Sequence, residues 1–103
     1  MKAPLIICIF IALLLAGSAQ AGGDAARGEE IASMDCIDCH GESGQGDEDT
    51  PPLAGLDEAY HVEQLKAYKS GERTDEGGLM AMTVEELSEQ DMADLAAYYA
   101  AMK

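Results

Sequence analysis

The chain is 103 residues long and carries twenty Asp and Glu against six Lys and Arg, a formal charge of −14 at pH 7. That length predicts one domain, and that charge argues against nucleic acid and anionic membrane surfaces as partners. All twenty acids lie beyond residue 21, where twenty acids against five bases (Arg27, Lys66, Lys69, Arg73 and Lys103) give −15. Because the acids are spread along the whole stretch, a salty or alkaline habitat accounts for them more simply than an acidic face that steers a basic partner.

The chain opens on Lys2, a short basic start, followed by an apolar run of eleven residues from Leu5 to Leu15. That run is too short to span a bilayer, and Ala19-Gln20-Ala21 is a small-x-small cleavage site. Residues 1–21 therefore read as a secretory signal peptide, with an uncleaved anchor as the alternative, and residues 22–103 as the mature domain, with no stable membrane insertion once the leader is cut. Cys8 leaves with the leader. A domain of this size is short of core. Cys36 and Cys39 are its only thiols, so no disulfide framework is available, which leaves a metal or a bound group to serve as the staple.

Asp24 to Met34 reads as a first helix, capped by Asp24 and rich in Ala, Glu and Ile. Gly28 sits inside it, as a close helix crossing or as a tolerated glycine. Next comes Cys36-Ile37-Asp38-Cys39-His40. Two thiols three residues apart, with an imidazole directly after, is the spacing of covalent c-type haem attachment. Each thiol can add to one haem vinyl group, and the adjacent His40 is then placed to ligate iron as the proximal ligand. The same pair could be a redox dithiol, which prefers a βαβ setting not visible here, or half a zinc site, which would have to recruit His40, His61 or carboxylates. Covalent haem attachment in bacteria takes place outside the cytoplasmic membrane, so the signal peptide and the motif support one another and point to the periplasm.

Gly41 to Thr50 is a glycine-rich acidic loop without EF-hand spacing. Pro51 and Pro52 then set an extended path with free carbonyls, the kind of acceptor to which a ligating histidine donates its other ring N–H. Asp57 to Ser70 reads as a second long helix, capped by Asp57 and stopped by Gly71, with Val62, Leu65 and Tyr68 near one face and His61 exposed or turned towards a haem propionate. Gly71 to Thr83 reads as a loop containing Gly77-Gly78 before Leu79-Met80-Ala81-Met82, so either Met80 or Met82 could reach over the iron. Ser88, with Asp91 three residues on, caps a last helix whose apolar stripe is Met92, Leu95, Ala96 and Tyr99. The fold class is all-α, with three to four helices and no strand.

In this order the fragments resemble the class I c-type cytochromes of the small bacterial monohaem kind. The resemblance rests on Gly28 and Ile31 leading into Cys36-x-x-Cys39-His40-Gly41, then Pro51-x-Leu53-Ala54-Gly55, Tyr60-x-x-x-Gln64-Leu65, Tyr68-Lys69-Ser70-Gly71-x-Arg73, Met80 and Leu95-Ala96-Ala97-Tyr98-Tyr99. It implies a small cytochrome c fold wrapped around one covalent haem c, held by Cys36 and Cys39. It implies His40 as proximal ligand with its ring N–H on the Pro51 carbonyl, Met80 as distal ligand with Met82 as the fallback, and Gly28 as the crossing point of the first and last helices near Tyr98. The family often has a proline near this methionine, and none follows here.

With both axial positions filled, the implied function is a periplasmic single-electron carrier and not an enzyme, its partners being redox proteins such as a terminal oxidase. The chain also resembles the cytochrome subunit of flavocytochrome c sulfide dehydrogenase, which would make it a haem subunit fed by a flavoprotein. A haem enzyme or gas sensor with an open sixth position is the third reading.

Overall fold

A computed structural model describes residues 22–102. The leader assigned to residues 1–21 lies outside the described residues, as does Lys103. The order of elements is α1 (Ala25–Asp35), α2 (Ile37–His40), α3 (Glu58–Ser70), a 3-10 turn (Glu76–Gly78), α4 (Leu79–Val84) and α5 (Glu89–Ala100), with no strand among the described residues. The all-α expectation holds. The helices number five because α2 and α4 are four and six residues long, too short to leave a readable period in the sequence.

The three long helices begin where their capping residues stand. The Asp24 carboxylate accepts from the N–H groups of Ala26 at 3.0 Å and Arg27 at 3.3 Å, and the Asp57 carboxylate accepts from Tyr60 N–H at 3.0 Å. Ser88 and Asp91 form a reciprocal capping box, the Ser88 hydroxyl accepting from Asp91 N–H at 3.0 Å and the Asp91 carboxylate from Ser88 N–H at 3.1 Å. A cap of this kind contributes about 1 kcal/mol. Ser88→Ala is therefore expected to lower the melting temperature by roughly 5 °C, read by circular dichroism of the haem-loaded protein.

Helix α1 crosses α5, which also packs on α3, while α4 packs on α3. The crossing is made at Gly28, where a Cβ would lie 2.0 Å from the carbonyl oxygen of Asp94 and 2.9 Å from the Cβ of Tyr98. Beside it Asp94, only 4% exposed, accepts from Asp24 N–H at 2.7 Å and from the Gln90 amide at 2.9 Å, tying the start of α1 to α5. The core is built from Ile31 and Ala32 of α1, Leu65 and Tyr68 of α3, Val84 and Leu87, and Met92, Leu95, Ala96 and Tyr99 of α5. Several of these side chains pack on one another and also line a cleft.

Candidate haem site

The cleft spans about 760 Å³ of space, open solvent at its mouth included. Its walls are largely apolar, from Leu53, Leu56, Leu65, Val84, Leu87 and Leu95, and they bring together Cys36, His40, Pro51 and Met80. Cys39 is exposed on α2, one turn on from Cys36.

His40 is 6% exposed, and its Nδ1–H donates to the carbonyl oxygen of Pro51 at 2.8 Å. That bond fixes the tautomer and leaves Nε2 as the nitrogen available to a metal. The intervening loop is folded to bring Pro51 there. Gly46 N–H donates to the His40 carbonyl at 2.7 Å, and the Asp47 carboxylate accepts from the N–H groups of Asp49 and Thr50, both at 2.9 Å. Leu53 N–H donates to the Gly44 carbonyl at 2.7 Å. Gly44 has φ +66° and lies where a Cβ would meet the Tyr99 ring at 2.9 Å, so both conformation and space require glycine there.

Met80 lines the cleft, half-buried and packed against the core, whereas Met82 is 67% exposed and points away. The two residues are separated by about 200° around α4, so they point to different sides of it, which a segment read as a loop does not reveal. Helix α4 itself corrects the reading of Gly71 to Thr83 as a continuous loop.

The competing readings of the thiol pair find little support. Burial and the neighbouring Asp35 carboxylate push the Cys36 thiol up to about 11, so it stays protonated at neutral pH, unlike the thiolate that a redox dithiol needs. Among the described residues no cluster of three or more His, Cys, Asp or Glu is placed to hold a metal ion, so a zinc site lacks its remaining ligands. An apolar cleft with a tethering thiol, an oriented imidazole and a thioether is a donor set that fits haem c.

Two cleft residues carry buried polar atoms without a protein partner, Nδ1 of His61 and the hydroxyl of Tyr99. Their rings lie 5.7 Å apart. His61 is 3% exposed and lines the cleft, which removes the exposed alternative of the sequence reading and leaves the one that turns it inward. It stands one turn before Leu65 on the inward face of α3, while Val62 is only half-buried. The spacing His61, Leu65, Tyr68 was the available signal. Arg73 also lines the cleft, its guanidinium donating to Gln64 Oε1 at 2.6 Å and stacked 4.8 Å from the centroid of the Tyr68 ring.

Burial lowers the His61 pKa from 6.5 to about 4. Between those values the unfolded chain takes up a proton that the fold refuses. The contribution to stability is therefore complete above pH 6.5 and is lost as pH falls towards 4, by about 3 kcal/mol. Denaturant titrations at pH 7 and pH 4 should show this extra loss in the unaltered protein and not in His61→Leu. Equal losses in both would contradict it.

Comparison with known proteins agrees with this geometry. The family model described as Cytochrome c matches residues 25–103. Cytochrome c4 of Pseudomonas aeruginosa is 40% identical over 102 residues, covering 96% of this chain and 48% of the relative. Cytochrome c-554(548) of Halomonas halodenitrificans is 41% identical over 85 residues, covering 79% of this chain and 99% of the relative. In solved structures the fold recurs in thiosulfate dehydrogenase (TsdBA) from Marichromatium purpuratum, with TM-score 0.74 and 33% identity over 90% of this chain and 22% of that one. The chain spans about half the length of the cytochromes c4 that it matches. Motif, helical fold and cleft thus agree with the family match: the chain belongs to the cytochrome c family, and haem c is its cofactor.

Proposed function

We propose that this protein is a single-electron carrier, and not an enzyme, working outside the cytoplasmic membrane with one covalent haem held between His40 and Met80. The observation that carries the reading is one apolar cleft that gathers Cys36, His40 with its ring fixed on Pro51, and the Met80 thioether. Bound there, the haem supplies a one-electron iron couple, whose potential thioether ligation raises.

The remaining roles belong to the chain. Cys36 and Cys39 tether the group through thioether bonds. His40 ligates through Nε2 and is held against rotation by Pro51. Met80 would be the second protein ligand to the iron and would so keep substrates from it. The leucines and Val84 exclude water, which keeps reorganisation on electron exchange small.

Residues 1–21 act as the export signal, and residues 22–103 form the electron-transfer domain. Export is the condition for covalent attachment, which favours the periplasm. Among the described residues no helix is long and apolar enough to cross a membrane.

A second reading makes the chain a haem subunit that accepts electrons from an enzyme. The recurrence of the fold within a thiosulfate dehydrogenase favours a partner that oxidises reduced sulfur, the class to which a flavoprotein sulfide dehydrogenase also belongs. Voltammetry and native purification test both. The carrier gives a reversible one-electron wave, does not bind carbon monoxide at neutral pH, and purifies alone. Stoichiometric co-purification with an oxidoreductase favours the subunit. Ready carbon monoxide binding to the reduced form would overturn both in favour of an open-site haem protein.

A further inference from the structure

Met80 is carried on a weak support. It follows Gly77 and Gly78, both at positive φ (83° and 69°), and nothing lies within 4 Å of a Cβ built at Gly78. Gly78 is the N-cap of α4 and has no side chain to offer its first N–H groups. Two adjacent glycines retain much conformational freedom, and a six-residue helix does not hold its shape alone.

Asp75 compensates for both defects. Its backbone carbonyl accepts from Gly78 N–H at 3.0 Å. Its carboxylate accepts from Met80 N–H, with Oδ1 at 3.2 Å and Oδ2 at 3.4 Å. One residue thereby spans the glycine pair and grips the backbone of the methionine itself. Beyond the far end of α4, Lys69 Nζ donates to the Leu87 carbonyl at 2.6 Å, anchoring that side to α3.

We infer that Asp75 is a positioning residue for Met80, acting through the main chain to keep the thioether on the iron and exogenous ligands off it. This rests on Met80 being the distal ligand.

Imidazole binding to the ferric holoprotein reads the hold directly. Its apparent affinity scales with the fraction of molecules in which the methionine has left. Loss of a hydrogen bond to a charged acceptor should raise that affinity about tenfold in Asp75→Ala. Asp75→Asn keeps an acceptor oxygen and should stay within about threefold of the unaltered protein. Helical circular dichroism at the same temperature should be unchanged in both.

If Met80→Ala binds imidazole far more tightly than the unaltered protein but Asp75→Ala does not, the positioning role is overturned and the ligand assignment survives. If Met80→Ala binds no more tightly, the ligand assignment fails and the positioning role falls with it. Should Asp75→Ala not yield a folded holoprotein, amide hydrogen exchange at Met80 in the unaltered protein decides. Protection is expected, and exchange at the rate of a free amide overturns the inference.

Discussion

The chain in which Cys36 and Cys39 are both replaced by serine is expected to hold no haem through acid extraction and to lose its cooperative thermal transition. Serine cannot form the thioether. The structural consequence follows from where the apolar side chains point. Leu65, Tyr68, Val84, Leu87, Leu95 and Tyr99 belong to the core, and all six also line the cleft. Without the haem these side chains border an open apolar cleft, which must collapse or fill with water. A domain this small has only about 5 kcal/mol of stability in hand, and losing its central apolar body exceeds that. Circular dichroism melts of the serine variant beside the holoprotein would show the difference. A sharp transition in the variant near the holoprotein's temperature would mean that the helices make a sufficient core by themselves.

Gly28→Ala should be strongly destabilising although alanine is the better helix former. On an open helix face the change would add about 1 kcal/mol of stability. Here the new methyl would fall 2.0 Å from the Asp94 carbonyl oxygen and 2.9 Å from Tyr98 Cβ. The nearest atom belongs to the backbone of α5, which cannot swing aside like a side chain. Relief requires α1 and α5 to separate, which also strains the bond from Asp24 N–H to Asp94. The net cost should be about 3 kcal/mol, a fall in melting temperature of roughly 15 °C for a domain of this size. A neutral or raised melting temperature would show that the helices have room to part.

Much of this architecture was legible in the sequence because its causes are local. Asp24, Asp57 and Ser88 mark helix starts through hydrogen bonds two or three residues long, and Gly71 ends α3 in the left-handed conformation that glycine favours. The stripe Met92, Leu95, Ala96 and Tyr99 reports the buried face of α5. The thiol pair and adjacent histidine carry a chemistry that few other spacings share.

What stayed hidden depends on distant partners. Asp94 is a charged residue on a helix, unremarkable until α1 brings Asp24 to it across seventy positions. His61 reads as either exposed or turned towards a haem propionate until Leu65 and Tyr68 establish which face of α3 turns inward. The segment from Leu79 to Thr83 reads as loop because two glycines precede it and its one cap, Asp75, lies outside the usual capping position. That short helix separates Met80 from Met82, so the proposed distal ligand, the least certain member of the site in sequence, rests on the least legible element of the fold.

The most direct measurement is the ferric visible spectrum of the exported, haem-loaded protein beside that of Met80→Ala. The unaltered protein should be low-spin, retain its haem through acid extraction, and show the weak red band of iron–sulfur(Met) ligation. Met80→Ala should retain the haem and lose that band completely. A covalent haem that is high-spin and lacks the band in the unaltered protein would contradict His40/Met80 ligation, and with it the assignment as an electron carrier.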